Sequence, residues 1–256
     1  MQQIDYQAIL QTLSSKLEVA LEMESVDKAV IFDAPELGFK ILMDEGQAKN
    51  PVLDQAKKTV YLNVHQFVAQ KEKVINRLKV MAGMAKKIYA RDTVLARVDK
   101  KLSLDFQVEH HLQIPLPGKY RYGLFHQGEL VSLAVFSGGR KMLDKPSDYR
   151  SFELLRFCHK ADFLVLGGIS KLLKGFIADF KPGDIMTYSD KDWSQDSSLT
   201  VIGFQKIAEK PPQQFWVSGS RQVPFHDFAE LEQIKLAYPD GYLFSNSGSI
   251  KLVYTV

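Results

Sequence analysis

Apolar residues recur at three- and four-residue steps through Tyr6, Ile9, Leu10, Leu13, Leu17, Ala20 and Leu21, which predicts an opening amphipathic helix. Short β-type runs follow in KAVIFD and FKILMDE, around Pro35 and Gly38, and TVYLNV repeats the pattern after the polar stretch GQAKNPVLDQAKK. These segments predict a small helix-plus-strand unit. Phe67, Val74, Ile75, Leu78, Met81, Ala82, Ala85 and Ile88 then keep helical spacing and predict one long helix over 66–88. Its polar face carries Lys71, Lys73, Arg77, Lys79, Lys86 and Lys87, with Glu72 the only acid, so it reads either as a solvated face or as a phosphate-contacting stripe.

From residue 93 the pattern becomes an ordered series. TVLARVD reads as a strand, and Ser103 as the cap of a short helix reaching His110, stopped by Pro115, Pro117 and Gly118. RYGLFHQGELVSLAVFSGG is a hairpin about Gln127-Gly128, and FELLRFCHK, nearly continuous in apolar residues, is a central strand. After VLGG, Ile169, Leu172, Leu173, Phe176, Ile177 and Phe180 share one helical face that ends at Pro182-Gly183. DIMTYSD is a strand, SSLTVIGF a short helix or turn, and FQKIAEK with QFWV a last hairpin about Pro211-Pro212. Ile250–Val256 alternates in strand fashion and is expected to pair with a sheet edge. The fold class is therefore α/β to α+β, a mixed central sheet flanked by helices with a smaller N-terminal unit. The expected pieces are 1–90, 91–218 and a C-terminal extension over 219–256.

Composition narrows the class without naming a function. Of 256 residues 45% are hydrophobic and 25% charged, values of an ordinary globular chain, which excludes disorder and coiled coil. No apolar run reaches the roughly 18 residues of a membrane span, and MQQIDYQAILQ has no basic segment before an apolar one, so the expected place is the cytoplasm. The single cysteine, Cys158, forms no internal disulfide and reads as a small core residue of its apolar strand; no metal site is expected. The net charge of +3 is too mild to predict nucleic-acid binding and does not exclude it.

The order of elements and two of their joints resemble the GNAT superfamily of acyl-CoA-dependent N-acyltransferases, over roughly 93–217. VLGGISKLL matches the family's Gly-rich loop through Gly168 and the small Ser170, and VIGF stands where the family places L-G-F. A turn of this kind lets backbone N–H groups meet a pyrophosphate at a helix N-terminus. Two positions depart from the family: Val165 replaces its Gln or Arg, and Leu199 the tyrosine that many members use to protonate the leaving thiolate. HLQ, YGLF with GELVSL, ELLRFC, GGISKLL and TYSD also look like a little-characterised GNAT-like group of phage and bacteria, some of it related to the phage DNA-modification protein Mom.

The resemblance implies acetyl-CoA or another acyl-CoA as co-substrate, held by Gly167, Gly168, Ile169, Ser170 and Lys171, and an amine acceptor. That acceptor is either a free amine or a nucleic-acid base, and a non-catalytic binding module on the same fold is the third reading. No membrane partner is expected, and a homodimer is admitted. Transfer needs a group to take the amine proton. Asp190 and Tyr188, two residues apart at a strand end, and His111 in the loop before the hairpin are the candidates. Gln113, Arg140, Arg156 and Trp193 are the acceptor-side candidates: Arg156 needs a partner such as Asp190 or Glu129, and Trp193 could floor a pocket or stack on a base.

Overall fold

The computed structural model describes residues 4–45, 57–193, 198–219 and 221–256. Most of the polar stretch GQAKNPVLDQAKK, the first three residues and Ser197 of the expected SSLTVIGF segment lie outside the described residues. The protein is α+β. The chain forms two compact units interleaved in sequence, where three consecutive pieces were expected. One gathers Met1–Ala82, Asp190–Gln195 and Lys210–Ser249; the other gathers Gly83–Ser189, Asp196–Glu209 and Ile250–Val256.

In the first unit, helix α1 (Tyr6–Leu17) starts where the Asp5 carboxylate accepts the Ala8 N–H and buries Ile9, Leu13 and Leu17. Strands β1 (Glu22–Val26), β2 (Ala29–Asp33), β3 (Phe39–Asp44) and β4 (Lys58–Asn63) make a sheet in that order. Only β3 and β4 are parallel. The Asn63 side chain accepts from His65 and Gln66 and opens α2 (Val64–Ala69), after which α3 (Lys71–Met81) follows. The long helix expected over 66–88 is thus three elements. Gln70 breaks the first turn pattern, Gly83 takes a φ of 79° that ends α3, and Lys86–Tyr89 becomes strand β5. Ile88, read as a helix-face residue, is instead buried in the core of the second unit.

That unit continues with β6 (Val94–Arg97), α4 (Lys100–His110), β7 (Tyr120–His126), β8 (Glu129–Phe136), β9 (Arg140–Lys141) and β10 (Arg150–His159). Asp99, not Ser103, caps α4; Ser103 is buried and accepts from the Gln107 side chain. The β7–β8 turn has Gln127 and Gly128 both at positive φ, 51° and 83°, the conformation a two-residue hairpin turn requires. Next come β11 (Phe163–Leu166), α5 (Gly168–Phe180), β12 (Asp184–Asp190), α6 (Ser198–Val201) and β13 (Gln205–Lys210).

The chain then returns to the first unit as β14 (Gln214–Ser218), β15 (Arg221–Phe225), α7 (Phe228–Ala237) and β16 (Tyr242–Ser245), and ends in β17 (Ser249–Thr255). The expected hairpin of FQKIAEK with QFWV does not form. β14 pairs with β15 and β16, and β13 pairs with β17. The main sheet therefore runs β13-β17-β12-β10-β8-β7-β6, with β17 inside it rather than at an edge. β10 and β12 are parallel neighbours, and β10 runs antiparallel to β8.

Both faces of this sheet are covered. On one, Leu172, Leu173 and Phe176 of α5 pack with Phe136, Phe152 and Ile185, and the Phe136 and Phe176 rings stack at 3.9 Å. On the other, Phe106 of α4 packs with Val98, Leu130, Leu133 and Val135. A mixed sheet, with a parallel pair at its centre and a Gly-started helix on one face, is the architecture the GNAT resemblance implies.

Candidate active site

The centre of the second unit is a parallel pair that stops early. β10 and β12 are in register only over Ser151–Glu153 against Asp184–Met186, and the Thr187 hydroxyl then donates to the Leu154 carbonyl at 2.8 Å. Beyond this point β10 continues to His159 and β12 to Asp190. The register of β10 against β8 shifts between Leu154 and Arg156, so Leu155 is a bulge, a device that redirects a strand next to a site.

The end of β10 lies against the start of α5. Gly167 caps α5 at a φ of 75°, and no side chain caps the helix, so Ser170 is a first-turn residue instead. A Cβ on Gly168 would sit 3.1 Å from Val165 Cβ and 3.4 Å from His159 Cε1, closer than side chains normally pack. Gly168 is therefore needed for close packing of the turn on Val165 and His159, and the turn sets the first N–H groups of α5 at the positive end of a helix dipole, which favours an anion. The strand before it is β11, paired in parallel with β5, and not the central β10. Val165 of β11 is buried, and Ile169 packs against the same core. The Lys171 ammonium is engaged by the carbonyls of Ala90 and Thr93, 2.8 Å from the first. Its charge is therefore tied to structure.

His159 is the group at this junction that the sequence reading missed; its sole mark was a histidine closing an apolar strand ahead of a Gly-Gly turn. Its Nδ1 lies 3.1 Å from the Ser132 hydroxyl, and burial pushes its pKa down to about 4, so it is neutral at physiological pH. A histidine depressed in the folded state is protonated first in the unfolded chain. Its contribution to stability is complete above the ordinary value near 6.5 and is lost as pH falls through about 4. Denaturant unfolding at about pH 7 and about pH 4.5 should show a loss of roughly 2–3 kcal/mol in the wild type that is absent in His159→Gln. Equal losses in both proteins would place the titration elsewhere.

The other expected residues are dispersed. His111 follows α4 and its Nδ1 accepts the Gln113 N–H at 3.0 Å, while Gln113 itself is exposed. Arg140 is exposed on β9. Arg156 is paired with neither Asp190 nor Glu129. Its guanidinium donates to the Ile114 carbonyl at 2.9 and 3.1 Å and to the Leu155 carbonyl at 2.7 Å, and Glu129 pairs with Lys160. Carbonyl oxygens satisfy a half-buried guanidinium as well as a carboxylate does, and they hold the loop before β7 against the bulge. Cys158 is a core residue whose thiol burial raises to about 12, which makes it inert. Leu199 packs on the core from α6.

Tyr188 lies on β12 two residues past Met186, the last residue paired with β10. Asp190 closes the strand and belongs to a cluster in the first unit. Its carboxylate accepts the Asp192 N–H at 2.9 Å; the Asp192 carboxylate accepts the Ser247 N–H at 2.7 Å, and its carbonyl accepts the Tyr61 N–H. Arg77 of α3 faces both acids and lies 4.3 Å over the Trp193 ring. Burial lowers its pKa to about 10 against the pull of the two carboxylates. Trp193 is thus buried beneath a guanidinium, where an open stacking platform had been envisaged. Arg77 is removed from the expected basic stripe, and Lys86 and Lys87 sit on β5.

No helix among the described residues is long and apolar enough to cross a membrane. No family model and no curated protein matches the chain. Among solved structures it is similar to the ribosomal-protein-S18-alanine N-acetyltransferase of Escherichia coli, with 10% identity and a TM-score of 0.38 over 64% of this chain and 94% of that one. It is also similar to Arabidopsis thaliana Naa50 in complex with a bisubstrate analogue, with 9% identity and a TM-score of 0.41 over 64% of this chain and 99% of that one. A GNAT family acetyltransferase from Elizabethkingia anophelis with acetyl-CoA bound gives 11% identity and a TM-score of 0.34 over 64% and 99%.

Proposed function

We propose that the second unit is an acyl-CoA-dependent N-acyltransferase, with its cofactor at the open end of the β10–β12 pair and its acceptor an amine. The observation that carries this reading is the parallel pairing confined to Ser151–Glu153, beside an α5 that starts at a glycine turn. The pyrophosphate of acyl-CoA is received by the N–H groups of residues 168–170, and the thioester reaches back along β10 toward the Leu155 bulge. The acceptor nitrogen attacks the thioester carbonyl carbon, its proton leaves to a base, and the C–S bond breaks to release a thiolate that must be protonated. Tyr188, on β12 two residues past its pairing with β10, is the group we assign to thiolate protonation in place of the tyrosine missing at Leu199. The neutral His159 beside Gly168 keeps that end of the site free of a second titrating charge. The nucleic-acid acceptor loses its main sequence support, since the basic face divides among α3 and β5 and Arg77 turns inward.

The test is ligand-dependent stability. CoA at about a hundred times its Kd stabilises by about 2.7 kcal/mol, which should raise the unfolding midpoint by roughly 5–10 °C. Gly168→Val should abolish the rise, because a β-branched side chain there collides with Val165 and His159 and displaces the turn that presents the N–H groups. Tyr188→Phe should keep the rise and lose turnover. No rise in the wild type with millimolar CoA or acetyl-CoA removes the transferase reading.

A further inference from the structure

The first unit holds a cavity of about 1340 Å³, walled by α1, α2, β14, α7 and β16. It lies wholly within that unit and includes none of the residues assigned to acyl transfer. Ile9, Trp216, Phe225 and Leu231 form its buried apolar wall. Val68 and Phe228, 68% and 72% exposed, stand at its mouth and leave apolar surface open to water. The His65 and Tyr242 rings lie 5.5 Å apart on one side.

Its charges are mainly acidic. Asp5, Glu45, Asp227 and Asp240 line it, against Lys235 as the lining side chain of fixed positive charge. Lys235 is itself neutralised by Glu232 at 2.8 Å. Of the two lining histidines, His226 faces Glu230 at 3.9 Å and His65 packs on Tyr242. The Trp216 indole N–H, a donor that an anion could have used, is spent on the Tyr238 carbonyl at 2.8 Å. Apolar walls concentrate the field of the four carboxylates within the cavity.

We infer that this cavity binds an organic cation: a primary ammonium carried on an aromatic or aliphatic body, with the body against Trp216 and Phe225 and the ammonium among the acidic rim. The Lys235 ammonium already lies 5.6 Å over the Trp216 ring and 5.8 Å over the Phe228 ring, so the ligand's own ammonium is assigned to the carboxylates rather than to these faces. The inference concerns binding alone and does not rest on the transferase reading.

Three probes sharing one indole body separate the charge from the apolar contribution: tryptamine, the neutral tryptophol and the anionic indole-3-propionate. Calorimetric titration of the full chain should show tryptamine binding about tenfold or more tighter than tryptophol, with indole-3-propionate weakest and the tryptamine affinity falling as salt is added. Asp5 and Asp227 cap α1 and α7 through the Ala8 and Glu230 N–H groups, and asparagine caps equally well. Asp5→Asn with Asp227→Asn should therefore keep the unfolding midpoint, weaken tryptamine about fivefold or more and leave tryptophol unchanged. Ala69→Trp, on the mouth-side face of α2, should weaken all three probes. Equal affinities for tryptamine and tryptophol, tighter binding of the anion, no saturable binding at millimolar tryptamine, or a double variant with unchanged tryptamine affinity would each overturn the inference.

Discussion

Arg77→Met is expected to destabilise the first unit by about 1–3 kcal/mol, the cost of removing a desolvated guanidinium that faces the Asp190 and Asp192 carboxyls. Methionine keeps the apolar stem and its packing on Trp193, so the loss reports the guanidinium. Burial, reinforced by Asp190, pushes the Asp192 carboxyl well above the ordinary carboxylate range, and Arg77 faces both it and the Asp190 carboxylate. Without Arg77 that carboxylate has lost its counter-charge. The paired substitution Asp192→Asn should behave oppositely, because asparagine resembles the protonated acid and can still accept the Ser247 N–H. A carboxyl raised in the folded state contributes fully below its ordinary value near 3.8 and loses that contribution as pH rises through its raised folded value. Denaturant unfolding should therefore show wild-type stability falling on the alkaline side and Asp192→Asn holding level. An Arg77→Met protein within about 0.5 kcal/mol of wild type would mean that the cluster is solvated.

What could be read from the sequence was local. The β7–β8 hairpin was legible because Gln127-Gly128 supplies two residues suited to positive φ between alternating runs. The α5 turn was legible because glycines stand between an apolar run and a helical stripe. β10 and β12 were legible as strands from their apolar runs, and the structure makes them parallel neighbours. Failures occurred where partners are distant. Lys86–Tyr89 continued a helical spacing from α3, yet Gly83 ends the helix and Phe163–Leu166 recruits the segment as a parallel strand. Gln205–Lys210 and Gln214–Ser218 have the period and spacing of a hairpin, but each finds a better-packed partner elsewhere in the chain. Arg156 was marked as a residue needing a partner, whereas Trp193 was read as a pocket floor and Asp190 as a proton acceptor. Sequence spacing could not say that the partners are carbonyls for Arg156 and Arg77 for the other two. His159 carried too little local signal to be chosen, since its importance comes from the start of α5 folding back on the end of β10.

Ending the chain after Ser249 should abolish the cooperative unfolding of the second unit while leaving that of the first. Seven residues at a terminus are ordinarily dispensable when they decorate a sheet edge. Here β17 lies between β13 and β12, so its loss leaves β12 with β10 alone and detaches β13 from the sheet. Ile250 and Leu252 are 9% and 1% exposed in the core that contains Phe176, and Phe204 and Tyr254 pack across the same region at 5.4 Å. Leu252→Ala alone should cost about 2–5 kcal/mol, a large share of the 5–15 kcal/mol typical of a whole domain. The first unit contributes no described residue beyond Ser249, so its transition survives truncation. Thermal unfolding followed by near-ultraviolet circular dichroism, with and without CoA, separates the two. The truncated chain should keep one transition and show no CoA response. Two transitions of wild-type size would mean that β17 adds nothing to the sheet and that the parallel pair holds without it.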